Sequence, residues 1–167
     1  MDNRLALFEQ TIVPHLNAAY NLARWLTNRD DAEDLVQEAY LRAFRFFDSF
    51  DGRDGRAWVL AVVRNTCLTW LGRGGRTPVV GFDEKVHGAT SERENAEAVL
   101  IANAKVDALR HCVESLPAEY REVVVMRELE EMPYRQIAEV TGTPIGTVMS
   151  RLSRGRARLL DCMEAKR

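Results

Sequence analysis

The chain has 167 residues, enough for one compact domain or two small ones. It is 46 % apolar and 29 % charged with a formal net charge of −2, as expected of a globular protein, and this excludes a uniformly basic nucleic-acid coat. No apolar run approaches the roughly 20 residues that span a bilayer, and Met1-Asp2-Asn3-Arg4 lacks the pattern of a signal peptide, so a cytoplasmic chain without membrane insertion is expected.

The first helical signal runs from Leu5 to Ile12, and Pro14 begins the next segment or kinks it against this stretch. Leu16, Ala19, Tyr20, Ala23 and Leu26 recur at three and four residues and predict one inward helix face. Asn28-Arg29-Asp30 breaks that pattern, and Asp31 is the expected cap of the next helix, with Asp34 in its first turn. Its inward face carries Leu35, Ala39, Ala43 and Phe46 or Phe47. Charge between Asp30 and Glu38 is entirely acidic. Asp48-Ser49-Phe50-Asp51-Gly52-Arg53-Asp54-Gly55 is loop chemistry, with two glycines to give it freedom. A third helix is expected from about Arg56 to Leu71.

From Gly72 to Glu97 the chain is polar and aperiodic, which predicts a flexible linker and two blocks that move relative to each other. The second block starts near Leu100, with Val106, Leu109, Val113 and Leu116 at helical spacing. Pro117, Pro133 and Pro144 each open a helix at its first position, the last with Thr143 as its cap. No segment sustains strand alternation. The fold class is therefore all-α, two small helical domains joined by a flexible linker: 1–72, a linker at 73–99, and 100–167.

Tyr134 to Leu152 has the grammar of a helix-turn-helix. Ala138 is small where two helices cross, Gly142 supplies a left-handed turn, and Val148 packs back from the second helix. That second helix segregates its faces: Ile145, Val148, Leu152 and Leu159 inward, Thr147, Arg151, Arg154 and Arg158 on a polar stripe, with Ser150 at its edge. An Arg-rich face by itself is ordinarily just solvated. On the second helix of such a turn it suits the major groove, where Arg meets guanine edges or phosphates.

The N-terminal motifs narrow the class. Asp31-Ala-Glu-Asp-Leu-Val-Gln-Glu-Ala-Tyr-Leu-Arg-Ala-Phe44 and Trp58-Val-Leu-Ala-Val-Val-Arg-Asn65 resemble the core-binding and promoter-melting region of bacterial sigma factors. Leu116-Pro-Ala-Glu-Tyr-Arg121 and the Tyr134–Arg158 segment resemble that family's C-terminal domain. The resemblance is to the extracytoplasmic-function (ECF) group and covers nearly the whole chain outside the linker. It implies a transcription initiation factor that joins core RNA polymerase, binds promoter DNA and is held by an anti-sigma factor.

Residue by residue, the resemblance assigns core polymerase binding to Asp34, Gln37, Glu38 and Leu41, which share the helix face opposite Leu35, Ala39 and Ala43. It assigns −10 element contacts to Asp48, Ser49, Phe50, Asp51, Gly52, Arg53, Asp54, Arg56, Arg64 and Asn65, the loop serving to capture a flipped base. It assigns −35 element contacts to Thr143, Thr147, Ser150, Arg151, Arg154 and Arg158. Trp58 either stacks on DNA or belongs to the core, the commoner fate at the start of an amphipathic helix; Asn65 bonds across helices or meets DNA. The chain departs from its relatives at Met149 and Ser153, where Arg and an aromatic are frequent, at Gly155, where Ala is usual, and in Glu-Glu-Met-Pro before Tyr134, which lacks the usual glycine.

An adaptor that binds an anti-sigma factor without touching DNA is the alternative. Such mimics typically carry a receiver domain and lose the basic stripe, whereas this chain keeps it. A dimeric repressor would leave the Asp34–Leu41 face unexplained. No nucleophile–base pair, phosphate loop or metal-ligand spacing supports an enzyme, a cofactor or a metal. Cys67, Cys112 and Cys162 are far apart and odd in number, and are read as reduced thiols.

Overall fold

The computed structural model describes residues 3–75 and 96–167; the central part of the expected linker, 76–95, lies outside the described residues. Every regular element among those described is helical.

Helix α1 spans Asn3–Thr11, and a 3-10 turn at Val13–His15 with Pro14 in its opening positions leads into α2, Leu16–Leu26. Helix α2 buries Ala19, Leu22, Ala23 and Leu26. Leu16, expected inward, is 44 % exposed, because the buried stripe is centred on Leu22 and leaves Leu16 and Tyr20 at its edge.

Helix α3 spans Arg29–Arg45. Its cap is Asn28 rather than Asp31: the Asn28 side chain accepts from the Asp31 backbone N–H at 2.7 Å and donates to the Asp31 carboxylate at 2.8 Å. The helix thus starts earlier than expected, with Asp30 and Asp31 both in the first turn, where negative charge suits the helix dipole. Leu35, Ala39, Ala43 and Phe47 are buried, while Phe46 is 59 % exposed.

Helix α4 spans Gly55–Gly72 and is capped by Asp54, which accepts from the Ala57 N–H at 3.0 Å. The two loop glycines have different jobs. Gly52 turns the chain at φ +82°, whereas a Cβ on Gly55 would sit 2.7 Å from the Thr11 carbonyl oxygen. Gly55 therefore permits the start of α4 to meet the end of α1, and does not loosen the loop.

Helices α5 (Ala96–Glu114), α6 (Ala118–Val124), α7 (Tyr134–Thr141) and α8 (Ile145–Ala165) complete the described chain. A π-type turn at Val125–Leu129 extends α6. Pro117, Pro133 and Pro144 each occupy the cap position, one residue before the first helical one. Their extended ψ, between 143° and 151°, is a conformation that proline adopts readily. Thr143 consequently is no cap; its hydroxyl pairs with that of Thr141 at 2.8 Å. In the Glu-Glu-Met-Pro turn, which has no glycine, Glu131 takes φ +52°, a left-handed conformation that costs a side-chain-bearing residue about 1–2 kcal/mol.

In this arrangement the two blocks lie against each other. One cluster of buried side chains runs from Leu22, Leu26, Leu60 and Val63 into Val123, Met126, Met132 and Ile137. Helix α4 lies along α7, and α2 along α6. The polar linker carries no information about this docking, since the contact is made by apolar residues on the helices it connects. A second cluster, Phe8, Ile12, Ala43, Phe47 and Val59, closes the far end of the N-terminal block.

Candidate polymerase and nucleic-acid interfaces

Asp34, Gln37, Glu38 and Leu41 all lie on the exposed side of α3, opposite buried Leu35, Ala39 and Ala43. Glu38 is held by Arg42 one turn on, at 2.9 Å. Leu41 is 66 % exposed, a large cost in water for an isolated apolar side chain, but it is not isolated. Gln37 and Leu41 form one rim of a groove of about 720 Å³ whose floor and far wall are Phe8, Leu5, Val13, Leu16, Tyr20, Val36, Tyr40 and Phe44. The sequence pattern marks the polar rim and gives no sign of this apolar trough. Its wall comes from α1 and the Val13–His15 turn, whose proximity to α3 has no local signature.

The Asp48–Gly55 loop leaves α3 through a 3-10 turn at Phe47–Ser49. Phe50 stacks on Phe47 at 5.8 Å and tilts against Trp58 at 5.3 Å, so the loop is anchored by aromatic packing. Trp58 packs edge-on against Phe47 at 6.1 Å yet also lines a cleft of about 330 Å³ with Ser49, Asp51, Arg53, Asp54, Ala57 and Ala61. One edge of Trp58 is thus packed into the core, and another faces the cleft. Asp48 pairs with Arg4 at 3.1 Å, Ser49 donates to the Phe46 carbonyl at 2.6 Å, and Asp51 accepts from the Arg53 N–H at 2.9 Å. Arg53 and Asn65 are exposed.

Arg56, Arg64 and Asp54 are engaged by the C-terminal block. Arg64 donates twice to Glu122, at 2.6 and 3.1 Å, and the Glu122 side chain is only 4 % exposed. Arg56 donates to the Glu130 carbonyl and lies 3.5 Å from its carboxylate, which also accepts from Asn21 at 2.8 Å. The Asp54 carboxylate accepts from the Gln136 amide at 3.0 and 3.1 Å. Glu139 of α7 completes the wall of the loop cleft. These partners are more than fifty residues from the groups they meet, and no sequence pattern points to them.

The helix-turn-helix takes the expected geometry. Gly142 adopts φ +65° after α7, the Thr143 N–H returns to the Ala138 carbonyl at 3.2 Å, and Val148 and Leu152 are buried. Ile145 is 42 % exposed, contrary to expectation, because it sits at the very start of α8 before the helix meets its neighbours. Gly155 takes an inward place instead: a Cβ there would approach the Val124 side chain to 2.8 Å, so glycine sets how closely α8 crosses α6. The polar stripe is divided. Arg151 is partly buried and leans toward Glu119 at 3.9 Å, and the Arg158 guanidinium lies 5.1 Å from the Tyr120 ring centroid, both on α6. Arg154 and Ser150 are exposed, with Thr143 and Thr147 half-buried beside them.

Cys112 and Cys162 are not reduced thiols: they form a disulfide that joins α5 to the end of α8, with Cα atoms 5.8 Å apart. The two helices run side by side there, which sequence spacing does not disclose. Cys67 remains a free thiol, fully buried, and burial pushes its pKa up to about 12. Among the described residues no helix is long and apolar enough to cross a membrane.

Comparison with known proteins matches residues 11–77 to Sigma-70 region 2 and residues 107–159 to Sigma-70 region 4. The chain is 31 % identical over 155 residues to the ECF RNA polymerase sigma factor SigE of Mycolicibacterium smegmatis, an alignment spanning 92 % of this chain but only 60 % of that protein. It is 29 % identical over 157 residues to the ECF RNA polymerase sigma-E factor of Escherichia coli, covering 89 % of this chain and 82 % of the relative. Its fold is similar to that of the sigma factor RpoE of Bartonella quintana, solved in complex with the anti-sigma factor NepR, with a TM-score of 0.73 at 25 % identity over 96 % of this chain and 98 % of the other. Two separate region matches in the family's order, carried on this all-helical fold, place the chain in the sigma-70 family, within its ECF group.

Proposed function

We infer that the chain is an RNA polymerase sigma subunit that directs promoter-specific initiation, and that it is not an enzyme. The observation that carries this reading is the coexistence of two unlike surfaces on one chain: an apolar groove with a polar rim on α3, and an exposed basic helix in a helix-turn-helix. The first suits a helical protein partner, since an apolar trough with flanking polar groups fixes both affinity and register. Core polymerase is that partner, with Asp34, Gln37, Glu38 and Leu41 at the rim. The second suits duplex DNA, with Thr143, Thr147, Ser150, Arg151, Arg154 and Arg158 addressing the −35 element. The cleft of the Asp48–Gly55 loop, with Trp58 in its wall, suits a base extruded from the −10 element, where a stacking surface offsets the few kcal/mol lost on unstacking. Arg56, Arg64 and Asn65 extend that site along α4. An anti-sigma factor is a further expected partner, as the Bartonella relative was solved bound to one, and the site of action is the cytoplasm.

Run-off transcription with purified core polymerase on a promoter library tests this. The wild-type chain should direct initiation from a subset of templates, and Asp34→Arg with Glu38→Arg should lose core binding while keeping helicity. Co-purification of that variant with core at wild-type levels would refute the assignment of the α3 face. An adaptor would give no transcript on any template.

A further inference from the structure

Helix α8 turns two unlike flanks to the outside. Val148, Leu152 and Gly155 mark its buried line, and opposite them at helical spacing stand Gly146, Ser150, Ser153 and Ala157, all exposed. These small residues let the backbone come close to the base edges of a major groove. Longer side chains border them on both flanks, but most are held by the protein itself. Arg151 leans toward Glu119, Arg158 lies over the Tyr120 ring, and Arg156 donates to Glu128 at 2.8 Å. The Ser150 hydroxyl is turned back to the Thr147 carbonyl at 3.0 Å. Among the described residues, two long side chains in the first three turns have no such partner: Arg154 on the basic flank and Met149 on the other. Met149 is 52 % exposed, and Ile145, one turn before it on the same flank, is exposed as well. The two form an apolar ledge at the N-terminal end of α8, the end that a recognition helix turns to the bases.

We propose that Met149 is a specificity-determining residue of the −35 interface, packing against the C5 methyl of a thymine close to a guanine read by Arg154. This rests on the −35 role proposed for α8. A thioether offers phosphate oxygens no hydrogen-bond donor, so a methionine carried into the groove gains nothing from the DNA backbone. The apolar feature of the major groove is the thymine methyl. The other bases present only donors and acceptors there, and Met149 would take these out of water without replacing their hydrogen bonds. Its unbranched, polarizable chain can follow the contour of a methyl group. Arg154 suits guanine, whose O6 and N7 accept from both arms of a guanidinium. The two positions are five residues apart, about 7.5 Å at ~1.5 Å per residue, which places their contacts within about two base steps at ~3.4 Å each.

The test uses holoenzyme formed from the full chain and purified core polymerase, selecting from promoter duplexes randomised across the −35 region. The enriched thymines are then replaced one at a time by deoxyuridine, which removes the C5 methyl and leaves every hydrogen-bonding group in place. The expected result is one position, within about two base steps of a guanine whose preference Arg154→Ala removes, at which deoxyuridine weakens wild-type binding about three- to five-fold, as loss of one buried methyl predicts. Met149→Ala should bind thymine and deoxyuridine equally there and lose the preference for thymine, while Met149→Leu should keep both. Met149 is exposed and Ala favours a helix, so folding does not confound the comparison. Three results each overturn the proposal while leaving the −35 reading intact: a Met149→Ala variant that keeps the wild-type preference for thymine, a wild type indifferent to deoxyuridine at every thymine, or an enriched element with no thymine beside the guanine. Holoenzyme that enriches no −35 sequence overturns that reading, and the role of Met149 with it.

Discussion

Reduction of the Cys112–Cys162 bond should destabilise the protein by an amount that the intervening loop predicts. The bond closes a loop of sequence separation 50. The chain-entropy relation then gives about 4 kcal/mol for the constraint lifted from the unfolded chain. Little is expected to offset this in the folded state. Cys112 is fully buried, and a buried free thiol behaves as a small apolar group, so after reduction it can stay in the core once a small rotation parts the two sulfurs. The thermal shift then depends on what unfolds. If the chain melts as one unit, ~4 kcal/mol corresponds to a fall in Tm of about 8–16 °C; if the C-terminal block melts by itself, to about 16–32 °C. Calorimetry with and without a phosphine reductant, repeated on Cys162→Ser, measures both the size of the shift and the number of transitions. A shift below about 3 °C in the reduced wild type would show that the loop is not constrained by the bond and would refute the reasoning.

Arg154→Ala should weaken holoenzyme binding to duplex promoter by about 1–3 kcal/mol in a titration at fixed salt, with little change in opening of a pre-melted −10 template. Arg151→Ala should cost less sequence discrimination, as that side chain is partly committed to Glu119. Glu131→Gly should raise stability by about 0.5–1 kcal/mol, because relief of the left-handed strain outweighs the extra freedom of glycine in the unfolded chain; denaturant melts check this. Cys67 keeps its proton in the folded chain up to about 12 against an ordinary 9.0, and Tyr40 up to about 12 against 10.0, both through burial. Folding is thus favoured by both groups below their ordinary values, and that contribution is lost as pH rises toward 12, so Tm should fall on going from pH 8.5 to about 11, and a thiol reagent should label Cys67 only on unfolding.

Local chemistry was legible wherever neighbours in the chain decide the outcome. The helical periodicity, the loop at Asp48–Gly55, the left-handed Gly142 and the exposed side of α3 all come from spacing and residue type. Helix starts were legible only to within one or a few residues, as with Asn28 in place of Asp31 and the prolines at the cap, because several adjacent residues could each supply the same function. Paired motifs in family order sufficed to identify the class of the protein.

Contacts between distant residues belong to the tertiary structure alone. The Arg64–Glu122 and Arg56–Glu130 pairs, the apolar trough beside Leu41 and the Cys112–Cys162 bond join positions brought together by the docking of whole helices. A basic residue on α4 reads the same in sequence whether it faces water, DNA or a carboxylate, since its helical propensity and its place on the face are identical in all three. Which of these it meets is decided by the apolar cluster that packs α4 on α7, where burial of Leu60, Val63 and Ile137 sets the geometry and thereby the charged partners.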